Sequence, residues 1–401
     1  MSEKRNPSAK PDDVCPRPDQ PVANATQPLA PAIYPTSVWI CNDTDEADQI
    51  LAGEREGYVY QRSRHPNADA LADKIAEIHG AERVAITSSG MAALAAAALS
   101  QLQTGDHVVL SHQLYGHSLL LLTQELSRLG VTSTTVDTCD LDATRAAFTS
   151  ATRMLVVETI ANPCLPVADI AALAELAHQH DTKLLVDNTF ATPVLCRPLE
   201  LGADLVMESV SKMINGHSDV ILGALCGSAA DCERVPLVLS AWGLTSSPFD
   251  AWLAVRGLAT MHLRVQQACQ TARQVAEILA AEPSIEHVDY PGLATHPQHE
   301  LAARQFDGQF GSMVTFRLRG GRTAADAFIK AADNIPFCPS LGEFTTTLSH
   351  PESTSHRGLS VGERKTLGIG GGTIRLSVGI ESSEFVLQAV CETLAAIDVS
   401  H

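Results

Sequence analysis

The sequence predicts an α/β fold with a mainly parallel central sheet and a smaller C-terminal α+β domain. From about residue 69 onward, short apolar runs alternate with helical stretches. These runs lack a polar face, which is typical of parallel strands that helices cover on both sides. Past about residue 246, a long helical region is followed by shorter strands and a last helix, which predicts the smaller domain.

Periodicity places the elements in order. Leu71, Ile75 and Ile78 recur at helical spacing, and Gly80 supplies a C-terminal stop. Six apolar runs are predicted to be the strands of the large sheet, at residues 84–87, 107–110, 154–157, 184–186, 205–207 and 221–225. Helices are predicted between the strands, notably up to about residue 102 and at residues 170–179. The smaller domain is predicted to contain helical residues 251–281 and 384–397 and strands at 313–318 and 374–378.

Proline content sets the N-terminal segment apart. Eight of the 21 prolines fall within the first 35 residues, which indicates an extended or irregular backbone. We therefore predict an extended arm over residues 1–60, a large domain over 61–250 and a smaller domain over 251–401.

Charge and composition narrow the class of protein. The 401 residues include 46 acidic and 28 basic side chains, giving a formal net charge of −18. Such an excess of negative charge argues against nucleic acid or an anionic membrane surface as a partner. Apolar stretches are too short for a membrane-spanning helix, and the N-terminus is charged where a signal peptide is apolar. The ten cysteines include no Cys-x-x-Cys pair, so we expect reduced thiols and a cytoplasmic location.

Three features fall at carboxyl ends of predicted strands, where a parallel sheet binds its ligands. Residues 88–91 join a strand to a helix whose first N–H groups can hold a phosphate, although small residues there often only permit a tight turn. Asp187 directly follows a buried strand, whereas most aspartates belong to surface turns or helix caps. Lys212 lies between two apolar runs, whereas most lysines are solvated surface charges.

Together these features indicate pyridoxal phosphate (PLP) chemistry. Burial lowers the pKa of a lysine and makes its amine a nucleophile towards carbonyls. A buried carboxylate can keep the pyridine nitrogen of PLP protonated, and Ser209 and Ser211 can donate hydrogen bonds to its phosphate.

Longer motifs carry a resemblance to a known family. Six of them occur in order along nearly the whole chain: Pro28–Tyr34, Val186–Pro193, Ser209–Lys212, Gly216–Asp219, Tyr290–Leu293 and Arg375–Glu381. They resemble the cystathionine γ-synthase, cystathionine γ-lyase and methionine γ-lyase family of PLP-dependent enzymes of cysteine and methionine metabolism. The resemblance implies the fold type I of PLP-dependent transferases, which is aspartate aminotransferase-like.

The resemblance also implies the cofactor residues. Lys212 matches the Schiff-base lysine, and Asp187 matches the partner of the pyridine nitrogen. Tyr115 matches the tyrosine that stacks on the ring and helps proton transfer to the leaving group. Further cofactor contacts, mainly to the phosphate, are matched by Gly90, Met91, Asn162, Ser209 and Ser211.

Substrate and subunit contacts are implied in the same way. Arg375 matches the arginine that grips the substrate carboxylate, assisted by Ser340 and Asn162, and a guanidinium fork suits that group. Tyr60 and Arg62 match a Tyr-x-Arg pair that reaches the phosphate of the neighbouring subunit. This implies a homo-oligomer, a dimer of dimers, to whose neighbouring sites the N-terminal arm contributes.

The family motifs leave the fate of the substrate open. Loss of the γ-substituent followed by water gives a 2-oxo acid and ammonia, whereas addition of a thiol gives γ-replacement. We expect a carbon–sulfur lyase that performs α,γ-elimination on cystathionine, methionine or homocysteine. A γ-replacement transferase, either a cystathionine γ-synthase or an O-acylhomoserine sulfhydrylase, is the alternative. A non-catalytic protein of the same fold is a remote one.

Departures from the family pattern bear on the substrate. Four positions are apolar where some cystathionine-processing relatives carry charged residues, and we interpret them as an apolar pocket for methionine or homocysteine: Val59, Leu119, Leu120 and Pro339. His117 is either a contact to the substrate tail or an exposed loop histidine. The loop after Ser340 differs from the family pattern at Glu343 and Thr345. His296 and His299 share a proline-containing turn, and we expect no metal site there.

Overall fold

The apolar runs between residues 83 and 227 pair into one seven-stranded sheet within the described part of the chain. Its strands are β1 (Arg83–Thr87), β2 (His107–Ser111), β3 (Thr132–Val136), β4 (Thr152–Glu158), β5 (Lys183–Asp187), β6 (Leu205–Glu208) and β7 (Gly223–Gly227). They lie in the order β1-β7-β6-β5-β4-β2-β3. Pairing is parallel from β6 to β3, whereas β7 is antiparallel to both β6 and β1. The predicted mainly parallel sheet is confirmed.

The computed structural model describes residue 26 and residues 28–397. The chain divides into residues 1–32 and residues 33–401. Of the first part, residues 26 and 28–32 are described, and their side chains are exposed. Most of the first 35 residues of the predicted arm therefore lie outside the described residues. Nearer its end, a helix over Thr44–Leu51 stands where an extended chain was predicted.

Apolar residues cover both faces of the sheet, as the strand composition predicted. Alternate residues of β4 and β5 belong to two separate buried clusters. Val157 and Val186 lie in one cluster, and Val156 and Leu185 lie in the other. Because side chains alternate across a strand, the two clusters are the cores on opposite faces of the sheet.

The described residues also form helices, several of which pack on the two sheets. They are α1 (Thr44–Leu51), α2 (Pro66–His79), α3 (Gly90–Gln101), α4 (Gly116–Leu120), α5 (Leu141–Ala147), α6 (Ile170–His178), α7 (Thr192–Leu195), α8 (Val235–Trp242), α9 (Pro248–Leu258), α10 (Met261–Ala281), α11 (His299–Gln305), α12 (Gly321–Ala331), α13 (Val361–Thr366) and α14 (Ser383–Ala396). Gly80 ends α2 with a left-handed φ of 67°, as predicted. No helix in the described ranges is long and apolar enough to cross a membrane.

The predicted helical region 251–281 is two helices, α9 and α10, and a buried arginine of α10 bonds to the end of α9. Arg264 donates to the carbonyl oxygen of Gly257 at 2.7 Å. The same guanidinium donates to the carbonyl oxygens of Met213 and Ile214 at 2.8 and 3.0 Å. Arg264 therefore fixes the segment that directly follows Lys212.

A four-stranded antiparallel sheet forms the second layer of structure. Its strands are β8 (Ile285–Asp289), β9 (Met313–Leu318), β10 (Thr347–Ser349) and β11 (Thr373–Ser377), in the order β10-β11-β9-β8. Helices α10 and α14 pack together beside it. The predicted strands at 313–318 and 374–378 are β9 and β11, and β11 carries Arg375.

Candidate active site

A cavity of about 700 Å³ opens at the carboxyl ends of β4, β5 and β6. Ten of the twelve sequence-predicted site residues line it: Gly90, Met91, Tyr115, Asn162, Asp187, Ser209, Ser211, Lys212, Ser340 and Arg375. These residues come from both sheets, since Arg375 belongs to β11 and Asp187 ends β5. The size of the cavity suits a small cofactor together with an amino acid.

Lys212 is held against the loop that carries Ser340. Its Nζ donates to Ser340 Oγ at 2.9 Å, and burial lowers the pKa of its amine. Gly342 permits this approach, because a Cβ there would lie 2.7 Å from the backbone nitrogen of Met213. Its φ of +83° is also a conformation that favours glycine. A lysine amine with a lowered pKa is more often unprotonated and can attack a carbonyl carbon.

Two carboxyl groups lie at the end of the parallel sheet. Asp187 and Glu158 are register partners on β5 and β4, and both line the cavity. Burial raises the pKa of Asp187 to about 6, against hydrogen bonds from Thr189 that lower it. Burial and the nearby Asp187 raise the pKa of Glu158 well above its ordinary value. A cationic group placed at Asp187, such as a protonated pyridine nitrogen, would stabilise its charged form.

Glu158 also joins two predicted site residues. Its Oε1 accepts the backbone N–H of Tyr115 at 2.6 Å, and its Oε2 accepts the backbone N–H of Asn162 at 3.3 Å. Sequence analysis did not single out Glu158. The signal was present, because Glu158 ends an apolar strand in the same way as Asp187.

The start of α3 and Ser209 form a close-packed cradle suited to a phosphate. A Cβ on Gly90 would lie 2.9 Å from the Cβ of Ser209, so only glycine fits there. Ser89 caps α3 by accepting the N–H of Ala92 at 3.0 Å. Free N–H groups at a helix N-terminus attract anions, and Ser209 adds a hydroxyl to them.

Ser211 lines the cavity, but its hydroxyl is bound to the backbone. Its hydroxyl donates to the carbonyl oxygen of Leu222 at 3.1 Å and accepts the N–H of Leu222 at 3.0 Å. The single hydroxyl proton is therefore used by the backbone, which leaves Ser209 as the serine with a hydroxyl available to a phosphate.

Arg375 is buried and only partly satisfied by the protein. It donates to Asn162 Oδ1 and, at 3.0 Å, to the carbonyl oxygen of Ser340. Its Nε has no hydrogen-bond partner among the described residues, and burial lowers its pKa to about 10. A buried guanidinium with an unused donor favours an anionic ligand, because an unpaired buried donor is costly.

The remaining cofactor residues, Tyr60 and Arg62, are not among the described residues that line this cavity. Arg62 Nη1 donates to the carbonyl oxygen and Oγ of Ser240 at 2.9 and 3.0 Å. The Tyr60 side chain is exposed, and the Arg62 guanidinium lies over its ring. The pair is therefore exposed and outside the described lining of its own cavity, whereas the family resemblance implies that it contributes to another subunit.

Most of the positions that suggested an apolar pocket are not among the described residues that line the cavity. Pro339 lines the cavity, whereas Val59, Leu119 and Leu120 are not among its described lining residues. His117 packs its ring against the edge of Tyr115 at 5.3 Å between centroids and is likewise outside the lining. Glu343 and Thr345 do not belong to the described lining either, and Glu343 Oε2 is buried without a partner in the described residues.

Sequence analysis did not identify a second arginine, Arg357, which also lines the cavity. Arg357 follows the turn Ser353–Ser355, whose residues also line the cavity. No hydrophobic period or strand end marks this segment, so its position depends on how the second sheet packs. Among the described residues, three cationic side chains therefore line the cavity, those of Lys212, Arg357 and Arg375.

These features fit PLP: the close-packed phosphate cradle at Gly90, the carboxylate at Asp187 and the desolvated amine of Lys212. The fold and the site together define a PLP-dependent enzyme that acts on amino acids. A model of the family described as Cys/Met metabolism PLP-dependent enzyme matches residues 17–394, and the chain belongs to this family. PLP is the cofactor of the family, as the sequence predicted.

Known relatives include both lyases and transferases. The L-methionine gamma-lyase of Porphyromonas gingivalis is 39% identical over 91% of this chain and 92% of its own length. The O-succinylhomoserine sulfhydrylase of Pseudomonas aeruginosa is 39% identical over 91% of each chain. A crystal structure of cystathionine gamma synthase from Xanthomonas oryzae in complex with cystathionine is 36% identical and superimposes with a TM-score of 0.87, covering 92% of this chain and 93% of that one. The chain is thus an enzyme of sulfur amino acid metabolism.

Proposed function

We propose that the protein is a carbon–sulfur lyase that performs α,γ-elimination on an L-amino acid, releasing a 2-oxo acid, ammonia and a thiol. The observation that carries this proposal is that the Lys212 amine, the Tyr115 side chain and the Arg375 guanidinium line one cavity. Elimination needs a base for the α-proton, an acid for the departing group and a fixed carboxylate. The identity with a methionine γ-lyase supports the same reaction.

Each of these residues has a distinct task in the proposal. Arg375, assisted by Asn162 and Ser340, binds the substrate carboxylate. Bound PLP supplies an electron sink for the negative charge that develops at Cα. The Lys212 amine takes the proton from Cα and, once it has given that proton up to the bound cofactor, takes one from Cβ. The Tyr115 hydroxyl gives a proton to the departing γ-substituent.

The cofactor assignments complete the proposed site. Asp187 keeps the pyridine nitrogen protonated, and Tyr115 stacks on the ring. The phosphate is held by Gly90, Met91 and Ser209, with Ser211 beside them, Asn162 as a further contact, and Tyr60 and Arg62 supplied by a neighbouring subunit. On this basis we propose a homo-oligomer, a dimer of dimers, in the cytoplasm. Residues 1–60, 61–250 and 251–401 then form its arm, large domain and smaller domain.

A γ-replacement transferase is the second candidate. Its support is the identity with an O-succinylhomoserine sulfhydrylase, which equals that with the lyase. The same base, acid and clamp serve both reactions, since they differ only in whether water or a thiol completes the turnover.

Product analysis tests the two candidates. Purified protein with PLP would be given methionine, homocysteine, cystathionine, O-acetylhomoserine or O-succinylhomoserine, each with and without a thiol. Elimination predicts 2-oxobutanoate and ammonia without any thiol. A thioether formed only from an acylated homoserine plus thiol would instead identify a transferase and overturn the proposed lyase.

A further inference from the structure

Arg357 is a cationic residue in the cavity for which the proposed reaction has no use. Its side chain is exposed, and it lines the cavity together with the hydroxyl-bearing residues Ser353, Thr354 and Ser355. Within the described residues, neither an ion pair nor a side-chain hydrogen bond engages its guanidinium. It is therefore available to a ligand.

The turn that carries Arg357 is fixed on the side of the cavity where Tyr115 lies. A Cβ on Gly116, the neighbour of Tyr115, would be 3.4 Å from the carbonyl oxygen of Ser355. His356 is buried, which lowers the pKa of its ring, and the backbone of Asn162 and the guanidinium of Arg375 lie close enough to affect that pKa. His356 Nδ1 lies 2.8 Å from Ser355 Oγ. Arg357 thus follows a turn that lies near Tyr115, the proposed acid, and near Asn162, which assists Arg375 in binding the substrate carboxylate.

The charges of the cavity leave Arg357 uncompensated. Lys212 is taken by the cofactor, and Arg375 by the substrate α-carboxylate. Asp187 is taken by the pyridine nitrogen, and the raised pKa of Glu158 disfavours its charged form. A positive charge therefore remains at Arg357 for the rest of the substrate, on the side of the proposed leaving group.

We propose that Arg357 determines substrate specificity by binding an anionic group at the far end of the γ-substituent, such as the carboxylate of an O-succinyl ester. A guanidinium binds a carboxylate through two parallel hydrogen bonds, and hydroxyls of the neighbouring turn can add to them. The small leaving groups of methionine and homocysteine, methanethiol and hydrogen sulfide, would leave this arginine without a partner. The inference rests on the proposed site and concerns the substituent that leaves, whichever of the two reactions completes the turnover.

O-Succinylhomoserine and O-acetylhomoserine are a matched pair of probes, because both are γ-esters and the added carboxylate is the main difference. With the PLP-loaded enzyme, we expect a higher kcat/KM for the succinyl ester than for the acetyl ester. In Arg357→Gln, the ratio of the two kcat/KM values should fall about 10- to 100-fold, as expected for loss of a charged hydrogen bond. The fall should come mainly from a higher KM for the succinyl ester, because binding is lost and the chemistry is not. Arg304→Gln, an exposed arginine on α11, is the control that should leave the ratio unchanged.

Turnover would be followed by release of succinate or acetate, with and without a thiol. This readout works for elimination and for replacement, so failure of the proposed lyase activity would not hide the behaviour of Arg357. An unchanged ratio in Arg357→Gln would overturn the inference. An equal fall for both esters would also overturn it, since it would indicate a structural role or a contact common to both substrates.

Discussion

Asp187 and Glu158 lie side by side as register partners at the carboxyl ends of two adjacent parallel strands, β5 and β4. Both carboxyl groups have raised pKa values, for which burial is the first cause. Burial thus disfavours the charged forms of both carboxyl groups. A cation beside them, such as a protonated pyridine nitrogen, would stabilise the charged form. Glu158 in addition holds the backbone of Tyr115 and Asn162 in place. One buried pair therefore connects cofactor binding with the positions of the proposed acid and the carboxylate clamp.

The pair makes the stability of the PLP-free protein depend on pH. The pKa of Asp187 rises from 3.8 to about 6, so the native state binds more protons than the unfolded state in this window. The free energy of unfolding should therefore fall as the pH rises from about 4 to 6, by about 3 kcal/mol for this group. The raised pKa of Glu158 adds a fall in the same direction. Denaturant unfolding of PLP-free protein across this range measures it.

Asp187→Asn provides the matched comparison. The variant should lose most of the fall between pH 4 and 6, yet bind PLP more weakly because no carboxylate remains for the pyridine nitrogen. Asp73→Asn, an exposed position on α2, should retain the wild-type pH dependence. The assignment fails if Asp187→Asn shows the same pH dependence as the wild type.

Lys212→Ala should abolish both the yellow absorbance of bound PLP and all turnover, because the only amine that lines the described cavity is removed. Absorbance spectra and 2-oxobutanoate release are the two measurements. Lys74→Ala, which removes an exposed lysine on α2, should change neither. A Lys212→Ala protein that remained yellow and active would show that another residue carries the chemistry.

Tyr115→Phe should lower kcat for elimination about 100-fold, as is typical when a general acid is removed. The ring remains, so PLP should stay bound with its absorbance little changed. The loss should be smaller for substrates whose leaving group needs no proton. Equal losses for a thiol and for a carboxylate leaving group would contradict the role of Tyr115 as the acid.

Arg375→Lys should raise KM about 10- to 100-fold, because an ammonium group cannot replace the two parallel hydrogen bonds of a guanidinium. Asn162 Oδ1 and the Ser340 carbonyl, which orient Arg375, would be left with a poorer donor. Steady-state kinetics with methionine and with its decarboxylated analogue as a competing ligand would test this. Affinity for the analogue, which lacks the carboxylate, should change far less than KM.

Strand ends account for what the sequence could predict about the site. Asp187 and Lys212 both line the cavity, and the sequence points to them because each follows an apolar run and the carboxyl ends of parallel strands meet at one edge. The direction of β7 could not be predicted, since an apolar run is the same in either orientation. β3 was not predicted because its residues, Thr132–Val136, are mostly polar and form the edge of the sheet.

Long-range packing accounts for what the sequence left out. Arg357 and Tyr115 are some 240 positions apart in the sequence. The turn that follows β10 brings Arg357 close to Tyr115 in the fold. Nothing in its local pattern indicates a site. Ser211 shows the reverse case, because its motif suggests a phosphate contact while its hydroxyl is bound to Leu222.

Arg62 offers a test of the proposed oligomer. It lies outside the described lining of its own cavity and is exposed, and we propose that it binds the phosphate in a neighbouring subunit. Arg62→Ala should therefore weaken PLP binding about 10- to 100-fold, as loss of a charged hydrogen bond to phosphate would. PLP titration followed by absorbance measures this affinity.

Mixed oligomers decide whether Arg62 acts between subunits. At limiting PLP, Arg62→Ala and Lys212→Ala should each be poorly active alone. A hybrid of the two has one site that combines a native Lys212 with the partner subunit's Arg62, so activity should rise above the sum of the separate variants. A hybrid of Lys212→Ala with Asp187→Asn has no native site, because both residues line the cavity of one chain, and it should show no gain. If the Arg62→Ala hybrid also shows no gain, Arg62 acts within its own chain and the proposed shared site is wrong.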